Sequence, residues 1–171
     1  MKKNIPSKNY IILAVLIVVT ICAVFYARSW YNTTKNYNTH SSAMLTVVNE
    51  INPNEISNYI LESSNFVLYA SSGQNTKIKS FERTFKNYVV KQGLSDNMLY
   101  ISTDGYTKEE LTNILRQYAD SKTINKINVN DNASMYIFEN QKIIHVINDA
   151  NLLSIKEINV LLKSFGATGN D

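Results

Sequence analysis

Cysteine is almost missing from this 171-residue chain, and the single one, Cys22, lies inside an apolar run near the N-terminus. The chain beyond that run can therefore form no disulfide and offers no thiol. Histidine is nearly as scarce. His40 and His145 fall in unrelated segments with no spacing that would pair them as metal ligands. Glycine (5) and proline (2) are rare as well. No glycine-rich phosphate loop and no acidic calcium loop is present, so neither a cofactor nor a metal is indicated. A surplus of one charge is missing too. Lys2, Lys3 and Lys8 precede the apolar run, which leaves 14 of the 17 basic residues against 14 acidic ones. The rest of the chain is neutral by formal count and lacks the basic field that attracts nucleic acid, so nucleic-acid binding is set aside.

What the chain does have is one long hydrophobic run. Tyr10 to Ala27 reads YIILAVLIVVTICAVFYA with no charged residue. At 1.5 Å per residue it spans about 27 Å, close to the hydrocarbon thickness of a bilayer. A cleaved signal peptide would have a shorter core and a better small-residue exit than Phe25-Tyr26-Ala27. A lipoprotein would want a small residue where Ile21 precedes Cys22. The run is read as a transmembrane helix, 10–27, in contact with the lipid bilayer. The lysines before it put the 1–9 tail in the cytoplasm and the C-terminal domain outside the cell. Trp30 and Tyr31 suit the outer interface. Residues 28–42, polar and rich in Asn and Thr, read as a flexible stalk. A domain over 43–166 and a disordered tail over 167–171 complete the chain. The bias toward Asn, Ile, Lys and Tyr suits an AT-rich bacterial genome.

Within the domain, Met44 to Val48 predicts a first strand. Asn52-Pro53-Asn54-Glu55 predicts a helix start, with Asn52 as cap, Pro53 at the first helical position and Glu55 reaching back. Phe66 to Ala70 is a continuous apolar run, as in a strand buried on both faces. After the polar loop Ser71-Ser72-Gly73-Gln74-Asn75, the spacing of Ile78, Phe81, Phe85, Tyr88 and Val89 predicts a helix stopped by Gly93. Met98 to Ser102 is the next strand. Thr107-Lys108-Glu109-Glu110 opens a helix with Leu111, Ile114, Leu115 and Tyr118 on its apolar face. Met135–Phe138 and Ile143–Ile147, joined by a short turn, form an antiparallel hairpin. Ser154-Ile155-Lys156-Glu157 opens a last helix that ends at Gly166. The order β-α-β-α-β-α-β-β-α implies an α/β fold, a mixed central sheet with helices on both faces.

That order is the thioredoxin order, and local motifs resemble the same family. In thioredoxins the second strand runs into W-C-G-P-C-K; here Phe66–Ala70 runs into Ser71-Ser72-Gly73-Gln74-Asn75-Thr76-Lys77. The family's P-T-L-x-x-F-x-N-G-K hairpin is similar to Ala133-Ser134-Met135-Tyr136-Ile137-Phe138-Glu139-Asn140-Gln141-Lys142. Its final helix resembles the segment from Leu153 to Leu162. The resemblance covers Met44 to Gly166 and implies a thioredoxin-like three-layer fold. It also implies departures. With Lys77 at the family lysine, Gly73 and Thr76 stand at the two cysteine positions, and the family's buried acid falls at Val67. Its cis-proline falls at Ala133, where a trans bond is expected because a non-proline cis bond costs about 3 kcal/mol. Thiol–disulfide exchange needs a thiolate, so a cysteine-less domain is expected to have no such activity of its own and not to be an enzyme.

Serine chemistry would need a base near Ser71 or Ser72. His145, read as a solvent-facing strand residue flanked by Ile144 and Val146, has no indicated route to them. The loop stands at a helix N-terminus with free N–H groups and a glycine that lets another chain approach, which suits a carboxylate or an extended peptide. In the family, peptide substrates lie on the ridge made by this loop and the proline loop. Ser72, Gly73, Gln74, Asn75 and Ala133 are therefore the candidate binding residues, against the plainer reading that Ser71, Ser72 and Asn75 only cap the helix. The expectation is a redox-inactive, membrane-anchored binding or accessory protein with a peptide or protein partner. It resembles the thioredoxin-like proteins of bacteriocin-secretion and cell-envelope systems in Gram-positive-like bacteria. The alternative is a structural subunit assembled through its transmembrane helix.

Overall fold

From Ser7 to Asn52 the chain holds neither proline nor glycine, so no residue there forces a helix to stop. In the computed structural model, which describes residues 7–166, the first helix accordingly runs unbroken over Ser7–His40 (α1). Residues Lys8–Thr33 are exposed, long enough and apolar enough to cross a membrane. Hydroxyls in this helix bond back to it: Thr20 donates to the Leu16 carbonyl at 2.8 Å and Thr33 to that of Ser29 at 3.0 Å. The segment expected as an irregular stalk is thus helical as far as His40. Of the tail expected at 1–9, residues 7–9 already belong to the helix, while 1–6 and the tail expected at 167–171 lie outside the described residues.

The compact unit begins at Ser41. Its elements are β1 (Asn49–Glu50), α2 (Ile56–Glu62), β2 (Phe66–Ser71), α3 (Thr76–Lys91), β3 (Met98–Ser102), α4 (Lys108–Arg116), β4 (Ser134–Glu139), β5 (Lys142–Ile147) and α5 (Ile155–Ser164). All three expected capping boxes are present, at Asn52/Glu55, Thr107/Glu110 and Ser154/Glu157. At the end of α3, Gly93 takes φ +65°. Its N–H bonds to the Val90 carbonyl while that of Leu94 bonds to Val89. This pairing closes the helix with glycine at the one left-handed position.

The strands form one mixed sheet in the order β1-β3-β2-β4-β5. β2 and β3 pair in parallel, and β4 runs antiparallel to both β2 and β5. Alternation along the strands splits the core in two. Val67, Tyr69, Met135 and Ile137 face α3, α5 and the 43–48 segment. Phe66, Leu68, Tyr136 and Phe138 face α2, α4 and the pair Ile127 and Val129. The result is a layer of helices on each side of the sheet.

Two expectations are corrected here. Met44 to Val48 is not a strand: Ala43–Thr46 is a 3₁₀ turn, capped by the Ser42 hydroxyl on the Met44 N–H at 3.1 Å. Met44 and Val48 still enter the core, and the strand forms instead from the polar pair Asn49–Glu50. His145 does not face solvent. A β-bulge shifts the register so that Ile137 faces His145 while Phe138 faces Ile143, leaving Ile144 over. One extra residue reverses the parity of the strand. It brings His145 to the α5 side, where the half-buried imidazole stacks on Phe165 with ring centres 3.8 Å apart.

The sheet margins are short or partly covered. β1 has two residues, and at β5 the Ile143 N–H donates to the Tyr118 carbonyl at 2.8 Å while its carbonyl accepts from Asp120 N–H at 3.2 Å.

Inside the sheet, the Tyr136 hydroxyl is buried without a hydrogen-bond partner among the described residues. Burial pushes this phenol up to about 12; the nearby Ser134 hydroxyl offsets part of that rise, though it stands outside hydrogen-bonding geometry. Removing an unpartnered buried hydroxyl removes its desolvation cost, so Tyr136→Phe is expected to stabilise the fold by about 1 kcal/mol. Urea unfolding of the full-length chain in detergent measures it, and a loss of stability would mean that the hydroxyl has a partner.

Candidate functional site

The loop between β2 and α3 is built by its own side chains. Asn75 caps α3, its Oδ1 accepting from the Lys77 N–H at 3.0 Å. Its amide nitrogen donates to the Asp131 carbonyl at 3.0 Å, tying the helix start to the loop before β4. Ser72 donates to Asp104 Oδ1 at 2.6 Å, and the buried Gly73 donates its N–H to Asp104 Oδ2 at 2.9 Å. The Gln74 N–H in turn bonds to Ser72 Oγ at 3.2 Å.

These bonds change the chemistry expected of the loop. The N–H groups of Gly73, Gln74 and Lys77, expected to be free for an incoming carboxylate, are already bonded within the chain. Asp104, after β3, supplies the carboxylate internally. Of the five candidate residues, Gln74 alone is fully exposed; Ser72 and Asn75 are half-buried. Ala133 is buried, its N–H bonded to Asn151 Oδ1 and its carbonyl to the Ala150 N–H, each at 2.7 Å. Its peptide bond is trans, as expected. Asn132 also joins this side, donating to Asp149 Oδ1 at 2.7 Å, so the loop before β4 is clasped to the turn after β5.

Beside the loop, Ser72, Asp104, Tyr106, Lys108, Val129 and Asp131 line a cleft of about 160 Å³. Lys108 and Asp131 form an ion pair across it at 2.8 Å. Both are well exposed, so the pair orders the rim more than it stabilises the fold.

Below the loop lies a residue that the periodicity argument passes over. Glu82 is fully buried on α3. Its Oε1 accepts from Ser71 Oγ at 2.7 Å and from the Tyr69 hydroxyl at 3.1 Å, and its Oε2 accepts from the Ala43 N–H at 2.8 Å. Burial, then the Glu82 carboxyl, holds Tyr69 well above its ordinary value. Burial likewise pushes Tyr100 up to about 12; its hydroxyl donates to the Ser71 carbonyl at 3.0 Å. The signal was in the sequence: Glu82 is four residues after Ile78 and three before Phe85, in the middle of the apolar stripe.

The two loop serines thus each meet a carboxyl group, Ser71 that of Glu82 and Ser72 that of Asp104. Ser71 is inaccessible, and among the described residues no histidine joins either pair. His145 stands on β5, two strands from β2 and stacked on Phe165. Among the described residues no group of three His, Cys, Asp or Glu is placed to hold a metal ion. The chain matches no family model, no curated protein and no solved structure.

Proposed function

We propose that this chain is a membrane-anchored, redox-inactive thioredoxin-like protein that acts by binding a peptide or protein partner rather than by catalysis, on the outer face of a bacterial membrane. One observation carries the reading. The loop that leads from β2 into α3, where a thioredoxin keeps its cysteines, holds none, and is instead closed by Asp104 with Gln74 projecting from it. The order of elements and the five-stranded mixed sheet support the family assignment. The exposed apolar helix supports the anchor, and the lysines before it support the orientation.

Photocrosslinking in the native membrane tests the proposal, with a photoreactive residue at Gln74 and a control at Lys163 on the exposed side of α5. A specific adduct from position 74 alone is expected. Equal labelling from both positions, or none from either, would overturn the loop as a binding surface. The full-length chain is also expected to show no disulfide reductase activity on insulin, since it has no thiol in this domain.

A further inference from the structure

The cleft beside the loop does not end at Asp104. A second one, of about 460 Å³, lies on the other side of Asp104 and Tyr106, which line both. It exists because β1 leaves the sheet early. The Ile51 N–H makes its bond to the Tyr100 carbonyl, and the chain then turns at Asn52-Pro53 while β3 continues to Ser102. The gap between them is walled by Glu50, Asn52 and Ser102 as well as the shared pair.

The charges in this joined groove are unbalanced. Among the described residues the larger cleft is lined by two acidic side chains, Glu50 and Asp104, and by no lysine, arginine or histidine. The hydrogen bonds to Asp104 come from a hydroxyl and a backbone N–H, neither of which brings a positive charge. Each carboxylate oxygen can accept more than one donor and here accepts one, so both retain acceptor capacity. In the smaller cleft the one cation, Lys108, is already paired with Asp131. Across the whole groove three acidic side chains face one base.

We infer that the groove holds an extended peptide segment that places a lysine or arginine side chain between Glu50 and Asp104. This rests on the proposed reading of the loop as a peptide-binding surface and adds the partner's chemistry to it. A cationic side chain entering the larger cleft meets two carboxylates and no competing cation. An acidic one meets only like charge, which gives discrimination by repulsion as well as by attraction.

The test uses full-length chain in phosphatidylcholine nanodiscs, with empty discs as the blank. The probes are fluorescent alanine–serine peptides that differ only in a central Lys, Gln or Glu, read by anisotropy. The Lys peptide is expected to bind about fivefold more tightly than the Gln peptide, as for a solvent-exposed ion pair, with the Glu peptide weakest. Added salt should shrink the difference. Glu50→Gln, at an exposed position, should remove most of the Lys advantage and leave the Gln peptide unchanged. Equal affinities for the Lys and Gln peptides, with the position-74 adduct still formed, would overturn this inference and leave the loop reading standing. Binding of no peptide, without an adduct, would overturn both.

Discussion

Glu82→Ala is expected to cost the fold about 3–5 kcal/mol, since it strips a buried carboxyl from three donors and leaves a cavity. The three donors come from two places: Tyr69 and Ser71 at the end of β2, and Ala43 at the start of the compact unit. Tyr69 and Ser71 are fully buried, so water cannot readily replace the acceptor they lose. Glu82→Gln should cost less, about 1–2 kcal/mol. Its amide retains one oxygen for the Ala43 N–H, and both hydroxyls can turn to accept from the new NH₂. Ser71→Ala removes a single donor and should cost about 1 kcal/mol. The order Ala, Gln, then Ser71→Ala is the signature to seek in urea unfolding of the full-length chain in detergent. A Glu82→Ala loss below about 1 kcal/mol would mean that these three bonds do not form together in solution.

The domain should also unfold cooperatively between pH 10 and about pH 12. Tyr100 and Tyr136 have phenols raised from 10.0 to about 12, and Tyr69 is raised well above 10.0. Below pH 10 all three are neutral in the native and unfolded chain alike, and their contribution to stability is complete. Above it the unfolded chain releases their protons while the native state retains them, so stability falls with rising pH. The slope is about 1.4 kcal/mol per pH unit for each tyrosine, or roughly 2–3 kcal/mol each for Tyr100 and Tyr136 by the time the folded value is reached, and Tyr69 acts in the same direction. Phenolate absorbance and circular dichroism should therefore change together in that window. Tyr136→Phe removes one of the three contributions and should move the transition to higher pH. Smooth ionisation of Tyr69, Tyr100 and Tyr136 near pH 10 with an unchanged dichroism spectrum would show that these side chains are accessible.

Much of the fold was legible because it depends on local chemistry. The capping boxes, the apolar stripes of α3, α4 and α5, and the closely spaced hairpin of β4 and β5 each follow from a few neighbouring residues. What the pattern missed depends on distant partners or on parity. Met44 and Val48 have the spacing of a strand, yet the Ser42 cap and the Glu82 carboxyl draw the backbone into a 3₁₀ turn. One unpaired residue in β5 places His145 on the α5 side, against Phe165, and no count along the strand signals a bulge. Ile127 and Val129 lie in a segment that reads as polar, but both are buried under α4. At the site, the loop, its cap and the missing thiol were readable. Asp104 was not, because the carboxylate that closes the loop is 31 residues from Gly73 and nothing local marks it.

The margins of the sheet have a consequence for how copies of this protein meet. A strand edge recruits another chain when it offers a row of unpaired N–H and C=O groups. Here one margin ends after two residues, and the other is overlaid at Ile143 by the stretch from Tyr118 to Asp120. The first offers a neighbouring copy two residues of backbone, and on the second the overlay takes up the N–H and C=O of Ile143, which shortens the edge a neighbour could pair with. Pairing between the edges of folded copies should therefore be limited, and opening of the whole domain should matter more to aggregation than collisions between folded copies.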